Sequence, residues 1–270
     1  MLEQASVGAF VNLTTDEPER WAADLDGLEQ LQLGHLELWL EHLPSHRELA
    51  LLDSLLGNWP RIMHGPFIGM SLATDWDELG SLSLDRCHRA IEAAALLDCE
   101  VVTLHAGPYA NFGPHTRALE RLAARLSRFA RLSFPAVTVE NMPARGGATS
   151  EAVAATADLD ALGELLPELS FTLDVGHCLQ NEEDPAAAFT ARAGRVRNIH
   201  LHDGQLGGAS HQALGTGDLD LDAFVDALAQ HDYRGFLTIE TLSPEALRQS
   251  LELLAEKGIL GPRQALPEAA

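Results

Sequence analysis

Residues 197–204 read RNIHLHDG, an apolar run that ends in His200, His202 and Asp203. Five other runs end the same way. His64, His105 and Glu140 close three of them, Asp174 and His177 a fourth, and Glu240 the last; His211 follows in the loop after His202. Imidazoles and carboxylates in mixture are donors for divalent ions. Taken singly, each residue has a structural use: His64 as a hydrogen-bonded strand-end residue, Glu140 as the partner of an arginine. Taken together, Glu140, Asp174 and Glu240 in one confined mouth would raise one another's pKa values and destabilise the fold by roughly several kcal/mol without a cation. An oxygen-rich donor set favours Mn²⁺, Mg²⁺ or Co²⁺, and a histidine-rich one Zn²⁺. His35, His42, His46, His88, His115 and His231 lie away from the run ends and read as ordinary surface or helix residues.

Elements that would carry such a rim are legible along the chain. Eight runs recur at 7–13, 35–40, 61–67, 101–107, 136–142, 170–177, 196–204 and 235–241. Most are near-continuous in Val, Ile, Leu, Phe and Thr, as strands covered on both faces are. Amphipathic stretches alternate with them. In residues 115–132, Leu119, Leu122, Leu126 and Phe129 recur at steps of three and four, which makes one helical face apolar. Asp75, Ser150 and Asp184 stand as N-caps, with Pro185 at a first helical position and Gly258 as the stop of the last helix. Eight strand–helix units give an α/β fold, a (β/α)8 TIM barrel of one domain over residues 1–262, with a tail at 263–270; the active site of that architecture lies at the C-terminal ends of the strands. An open doubly wound sheet is the alternative, but VNLTTDEPER after the first run has no glycine for a phosphate loop.

The 270 residues are 46% hydrophobic, which suits a sizeable core. No apolar run is long enough for a membrane span and the N-terminus lacks a basic-then-apolar leader, so a cytoplasmic location is expected. Cys87, Cys99 and Cys178 are odd in number without ligand spacing; a disulfide framework is not expected, and Cys87 and Cys99 read as small buried hydrophobes. The net charge is −22, with Lys257 the single lysine. Such a surface repels polyanions and disfavours, without excluding, a nucleic-acid partner. A small carbohydrate-like substrate is expected instead. Barrels of this kind often pair, which leaves a homo-oligomer open.

The motifs HGPF, LHAG, VENM, LDVGH, HLHDG, HQALGTGDLD and TIET, in this order and placement, resemble the xylose-isomerase-like barrel superfamily over nearly the whole chain. That superfamily holds sugar isomerases, ketose epimerases and the endonuclease IV branch. The resemblance implies a shared metal centre of Glu140, Asp174, His200 and Glu240, with Glu140 and Glu240 as the proton-transferring pair. It implies that His64, His105, His177, His202 and His211 hold a second metal or contact substrate, His202 acting behind His200 or on substrate. In the nuclease branch a further metal uses an aspartate two residues before His211, and here that position is Ala209. Gly215 and Gly217 correspond to a structural turn.

Two activities follow. The first is a metal-dependent sugar, sugar phosphate or hydroxy-carbonyl isomerase or epimerase, working by proton transfer through a metal-stabilised enediolate. The second is a metal-dependent phosphodiesterase acting on abasic DNA, for which Arg145 is the anion contact and Tyr109 and Phe112 the aromatic wedges. Phe67 and Trp39 read as pocket walls or core, and Asp203 as the cap of the following turn. A barrel that only binds a ligand would keep unneutralised carboxylates in a pocket, which is unfavourable.

Overall fold

The computed structural model describes residues 5–13, 18–31, 33–144 and 146–260. Arg145 and the tail at 263–270 lie outside the described residues. The order along the chain begins β1 (Ser6–Asn12), α1 (Trp21–Leu25), β2 (His35–Trp39), α2 (His46–Leu56), β3 (Arg61–His64), α3 (Asp77–Leu96), β4 (Val101–Leu104). It continues β5 (Pro108–Ala110), α4 (His115–Leu126), β6 (Ala136–Glu140), β7 (Thr149–Glu151), α5 (Thr156–Leu165), β8 (Ser170–Asp174). It closes with α6 (Val175–Gln180), α7 (Pro185–Arg192), β9 (Val196–Leu201), α8 (Leu221–Gln230), β10 (Phe236–Ile239) and α9 (Pro244–Glu256).

Eight strands close into a parallel barrel in the order β1-β10-β9-β8-β6-β4-β3-β2. This is the TIM barrel that the alternating runs predict, and each run contains one barrel strand. The runs extend past the strands at their C-terminal ends because the extra residues form the rim. One feature was not legible: β5 and β7 pair antiparallel as a short ribbon above the barrel, outside its sheet.

Outward-facing Leu36, Leu38, Val139, Phe171, Ile199 and Leu237 pack with helix residues Leu52, Leu122, Leu162, Phe189, Phe224 and Leu254 in one continuous core. Leu119, Leu122, Leu126 and Phe129 are all buried, although α4 ends at Leu126 and Phe129 sits in the turns beyond. The barrel interior is different. Its middle layer is polar: Glu37, Thr103, Thr138, Thr172, Asn198 and Thr238 are fully buried there. Thr138 and Thr103 both meet Thr172 Oγ1, at 2.7 and 2.9 Å.

Helix starts correct two expected caps. Asp184 caps α7, accepting from Ala186 N at 2.9 Å, with Pro185 at N1. Asp75, however, is not the cap of α3, which follows Trp76; its carboxylate pairs instead with Arg121 at 2.7 Å. Ser150 lies on β7, and α5 begins after Ala155, where Asp158 accepts from the backbone of Ala154 and Ala155. In both cases a nearer or tertiary partner takes the side chain. Gly258 follows α9 with φ +68°, as a helix stop requires. The three cysteines are free and buried.

Candidate metal centre

Side chains alternate along a strand, so residues two apart share a face. Thr138 and Glu140, Thr172 and Asp174, Asn198 and His200, and Thr238 and Glu240 each pair an interior residue with a rim residue on the same side. Register then sets the height. Phe171 stands opposite Val196 but Thr172 opposite Asn198, so Arg197 is an extra residue and Asp174 comes level with His200. Without that bulge Asp174 would stand against Ile199.

Glu140, Asp174, His200 and Glu240 each offer a donor atom, and the four atoms lie within 4.8 Å of one another. His200 Nδ1 is the hub: 3.1 Å from Glu140 Oε1, 3.0 Å from Glu240 Oε2 and 3.8 Å from Asp174 Oδ2. The five other histidines surround this hub. His105 Nε2 is 2.9 Å from Glu140 Oε2 and 3.1 Å from His64 Nε2, a second donor group. His202 Nε2 meets Asp174 Oδ2 at 3.0 Å, and His177 Nδ1 meets the same oxygen at 3.3 Å. His211 stacks on His202 with ring centres 4.2 Å apart and reaches Glu240 Oε1 at 3.8 Å, so His202, His211 and Glu240 form a third group. All nine residues inferred from the sequence therefore meet at one mouth. His202 stands behind Asp174 rather than behind His200.

Asp203 lies beside this cluster and has a structural part. Its carboxylate accepts from the backbone N–H of Gly204, Gly215 and Leu219, which ties down the loop after β9. Gly215 there has φ +81°, and a Cβ at Gly217 would collide with Gly204 O, so both glycines are structural. Phe112 is 89% exposed and does not line the mouth, whereas Trp39 and Phe67 stack at 5.3 Å and wall it.

Two interior residues behind the site were missed. Glu37, fully buried, accepts from His200 Nε2 at 3.0 Å and from Asn198 Nδ2 at 2.8 Å. The signal was a carboxylate between Leu36 and Leu38 in the barrel strand HLELW. His35, read from sequence as an ordinary surface or helix histidine, is instead fully buried on β2, with Nε2 3.0 Å from Thr238 Oγ1 and Nδ1 3.0 Å from Ser6 Oγ. It faces the barrel axis because it shares the parity of Glu37.

Hydrogens along this chain run one way. Ser6 donates to His35, His35 to Thr238, Thr238 to Asn198 at 3.0 Å, and Asn198 to Glu37. Burial pushes His35 down to about 4, which keeps the ring neutral and allows one nitrogen to accept. Glu37 takes donors from Asn198 on one side and His200 on the other. Burial favours its neutral form, but the His200 charge and hydrogen bond hold it down at about 2. With Nε2–H committed to Glu37, Nδ1 of His200 is left to face the rim carboxylates.

Burial opposes ionisation of Glu140, Asp174 and Glu240, yet neighbouring imidazoles hold all three below the carboxylate range. Burial likewise opposes charging of His200, which Glu37, Glu140 and Glu240 raise well above its ordinary value. His64 and His202 are raised by Glu140 and Asp174 against the same burial. Burial lowers His105 and His211. The carboxylates thus stay anionic through protons held on imidazoles. A divalent cation at the hub would take over that compensation and release protons. The donor set fits such an ion on a further point. Glu240 Oε2 is buried with no hydrogen-bond partner, its 3.0 Å approach to His200 Nδ1 being misaligned. A buried lone pair of this kind is unfavourable unless something coordinates it.

A parallel barrel bearing a ring of carboxylates and imidazoles at its C-terminal mouth defines the class. A profile of the xylose isomerase-like TIM barrel matches residues 41–257, and the chain belongs to that family. An uncharacterized protein from Methanocaldococcus jannaschii is 26% identical over 216 residues, 73% of this chain and 71% of its own length. The crystal structure of a D-tagatose 3-epimerase-like protein superposes with TM-score 0.81 at 20% identity, covering 94% of this chain and 98% of that one. Endonuclease IV from Thermus thermophilus superposes with TM-score 0.69 at 22% identity, covering 93% and 98%.

Proposed function

We propose that the protein is a metal-dependent isomerase or epimerase of a small hydroxy-carbonyl carbohydrate. The observation that carries this reading is the convergence of Glu140, Asp174, His200 and Glu240, from four strands, on donor atoms within 4.8 Å. Those four residues would hold the ion. When bound, a divalent ion supplies Lewis acidity toward a carbonyl oxygen and its neighbouring hydroxyl. Glu140 and Glu240 then act on the substrate carbon from two sides, one carboxylate accepting the proton beside the carbonyl and the other returning it. Glu140 and Glu240 both rest ionised at neutral pH, so either can accept the proton, and the one that returns a proton first takes it from solvent, which is why solvent deuterium enters the substrate. His177 orients a substrate oxygen. Its Nδ1 is fixed 2.9 Å from Asn141 O, which leaves Nε2 for the pocket. Phe10 and Trp39 pack edge-to-face with His64, ring centres 5.5 and 6.3 Å apart, and wall the pocket on that side. The buried thiols suit a reducing cytoplasm.

Cleavage of abasic DNA is the second reading, favoured by the group His64, His105 and Glu140 as a second donor set. Ala209 in place of a ligand and a net charge of −22 weigh against it. Solvent deuterium separates the two. With Mn²⁺, Mg²⁺, Co²⁺ and Zn²⁺ each tested, incorporation beside the carbonyl of a ketose is expected. Strand cleavage of abasic duplex without exchange into any ketose would reverse the assignment. Glu240→Gln should lower exchange by at least about 10²-fold, and unchanged exchange would remove Glu240 from the pair.

A further inference from the structure

Beside the metal centre, whose cavity measures about 520 Å³, lies a second cavity of about 480 Å³. Phe67, His105 and Met142 line both, so the two adjoin across these side chains. His105, on that shared wall, links it to the chemistry, since its Nε2 is 2.9 Å from Glu140. The first cavity is already of a size that holds a whole small ligand. The second has a different character: Phe67, Ile68, Met70, Trp76, Leu79 and Tyr109 provide its apolar walls.

Thr149 and Glu151 also line this annex, and three of its other polar side chains are committed locally. Ser71 Oγ donates to Pro108 O at 2.6 Å, Thr74 Oγ1 accepts from Trp76 N at 3.2 Å, and Asp75 pairs with Arg121 at 2.7 Å. The loop after β3 that forms one wall is strapped in place. Glu41, buried and paired with Arg86, accepts from the backbone of Phe67 and Ile68 at 3.0 and 3.1 Å. Arg125 donates to the carbonyls of Leu72 and Thr74 at 2.7 and 2.9 Å, and Arg121 to Ala73 at 3.2 Å. Gly107, φ +74°, lets the opposite wall approach; a Cβ there would stand 2.6 Å from Ser71 Cα. Ile68 and Trp76 stay 60% and 67% exposed at the edge of this strapped chamber, an apolar lip of the kind that marks ligand-binding grooves.

We infer that this annex is a substrate subsite, and that the substrate is a hydroxy-carbonyl compound bearing an apolar arm, aromatic or branched aliphatic. The polar end of that description rests on the proposed function; the apolar end rests on the annex alone. The arm lies between Trp76 and Ile68 on one side and Tyr109 on the other, while the hydroxy-carbonyl end reaches Glu140 past His105.

Calorimetric titration of the Mn²⁺-loaded full chain tests this with three probes: hydroxyacetone, 1-hydroxy-4-phenylbutan-2-one, and 3-phenylpropan-1-ol, which lacks the ketol. The phenyl ketol should bind about 50-fold more tightly than hydroxyacetone, the effect of burying roughly 90 Å² of apolar surface. Trp76→Ala and Ile68→Ala, both at exposed positions, should each reduce that ratio to under about 10-fold while leaving hydroxyacetone binding unchanged. Equal binding of the two ketols, within about 3-fold, overturns the annex and leaves the proposed function standing. If neither ketol responds to Mn²⁺ but 3-phenylpropan-1-ol binds and Trp76→Ala weakens it, the annex stands and the hydroxy-carbonyl reading fails. No binding of either phenyl probe overturns the annex whatever the ketol does.

Discussion

Replacing Glu37 by Gln keeps volume and removes one charge at a fully buried position. The carboxylate uses one oxygen for His200 Nε2 at 3.0 Å and the other for Asn198 Nδ2 at 2.8 Å. A glutamine offers one acceptor oxygen, so one of these donors must face an NH₂ group. Asn198 cannot turn over to help, because its Oδ1 already accepts from Thr238 at 3.0 Å. Losing one charge-assisted hydrogen bond weakens the arrangement by about 1.5–3 kcal/mol. His200 then becomes less basic and free to carry its proton on Nδ1, the atom aimed at the carboxylates. Outer partners of metal-binding histidines are worth about 10–100-fold in affinity, which agrees with that range. The Kd for Mn²⁺ or Zn²⁺, measured by competition with a chromophoric chelator, should therefore rise about 10–100-fold in Glu37→Gln. Thr238→Val, one step further back, should give a smaller rise, about 5-fold. Melting curves of the metal-free variants report whether the barrel is intact. An intact Glu37→Gln barrel with a Kd within about 2-fold of the native value would refute the reasoning, since His200 would then need no fixed tautomer.

Elemental analysis after desalting should find about one equivalent or more of divalent metal per chain, and a metal-free active protein would contradict the proposed centre. Metal-free protein should lose stability as pH falls from about 6.5 toward 4. His35 is held at about 4 when folded, so the unfolded chain binds more protons across that window; its contribution is complete above pH 6.5 and falls by roughly 3 kcal/mol on acidification. Denaturant titrations of His35→Gln should show a flatter pH dependence, and an unchanged slope would remove His35 as the cause. Gly176→Ala should disturb the site from outside it. A Cβ at Gly176 would collide with the His202 ring, which holds Asp174, so metal affinity should fall by about 10-fold; undiminished affinity would show that His202 can shift without effect.

Barrel strands and rim donors were legible for one reason: the strands are covered on both faces, so polar residues stand out where the apolar run ends. Glu140, Asp174 and Glu240 declared themselves in this way. Glu37 and His35 did not, because a parallel strand with two buried faces gives no alternation to say which residues look inward. His35 heads its strand, where a polar residue reads as surface, and only the closure of β2 beside β1 buries it. The misassigned caps have a similar origin. Asp75 is two residues from the start of α3, but Arg121 on α4 offers a charge and the local backbone only a dipole. The β5–β7 ribbon escaped notice because two three-residue strands far apart in the chain leave no periodic trace. His202 illustrates a finer limit. The run placed it at the mouth, but the choice between Asp174 and His200 as its partner depends on the bulge at Arg197.

The threonine layer inside the barrel has a consequence for how the strands choose their alignment. Slipping one strand along its neighbour by two residues keeps every side chain on its original face, so apolar burial alone discriminates poorly against it. Here such a slip would separate Thr138 and Thr103 from Thr172, and Asn198 from Glu37, breaking the hydrogen bonds of buried hydroxyl and amide groups. Misaligned barrels are thereby penalised at the same level that supports the rim, and a chain that closes at all closes with its donor atoms at matching heights.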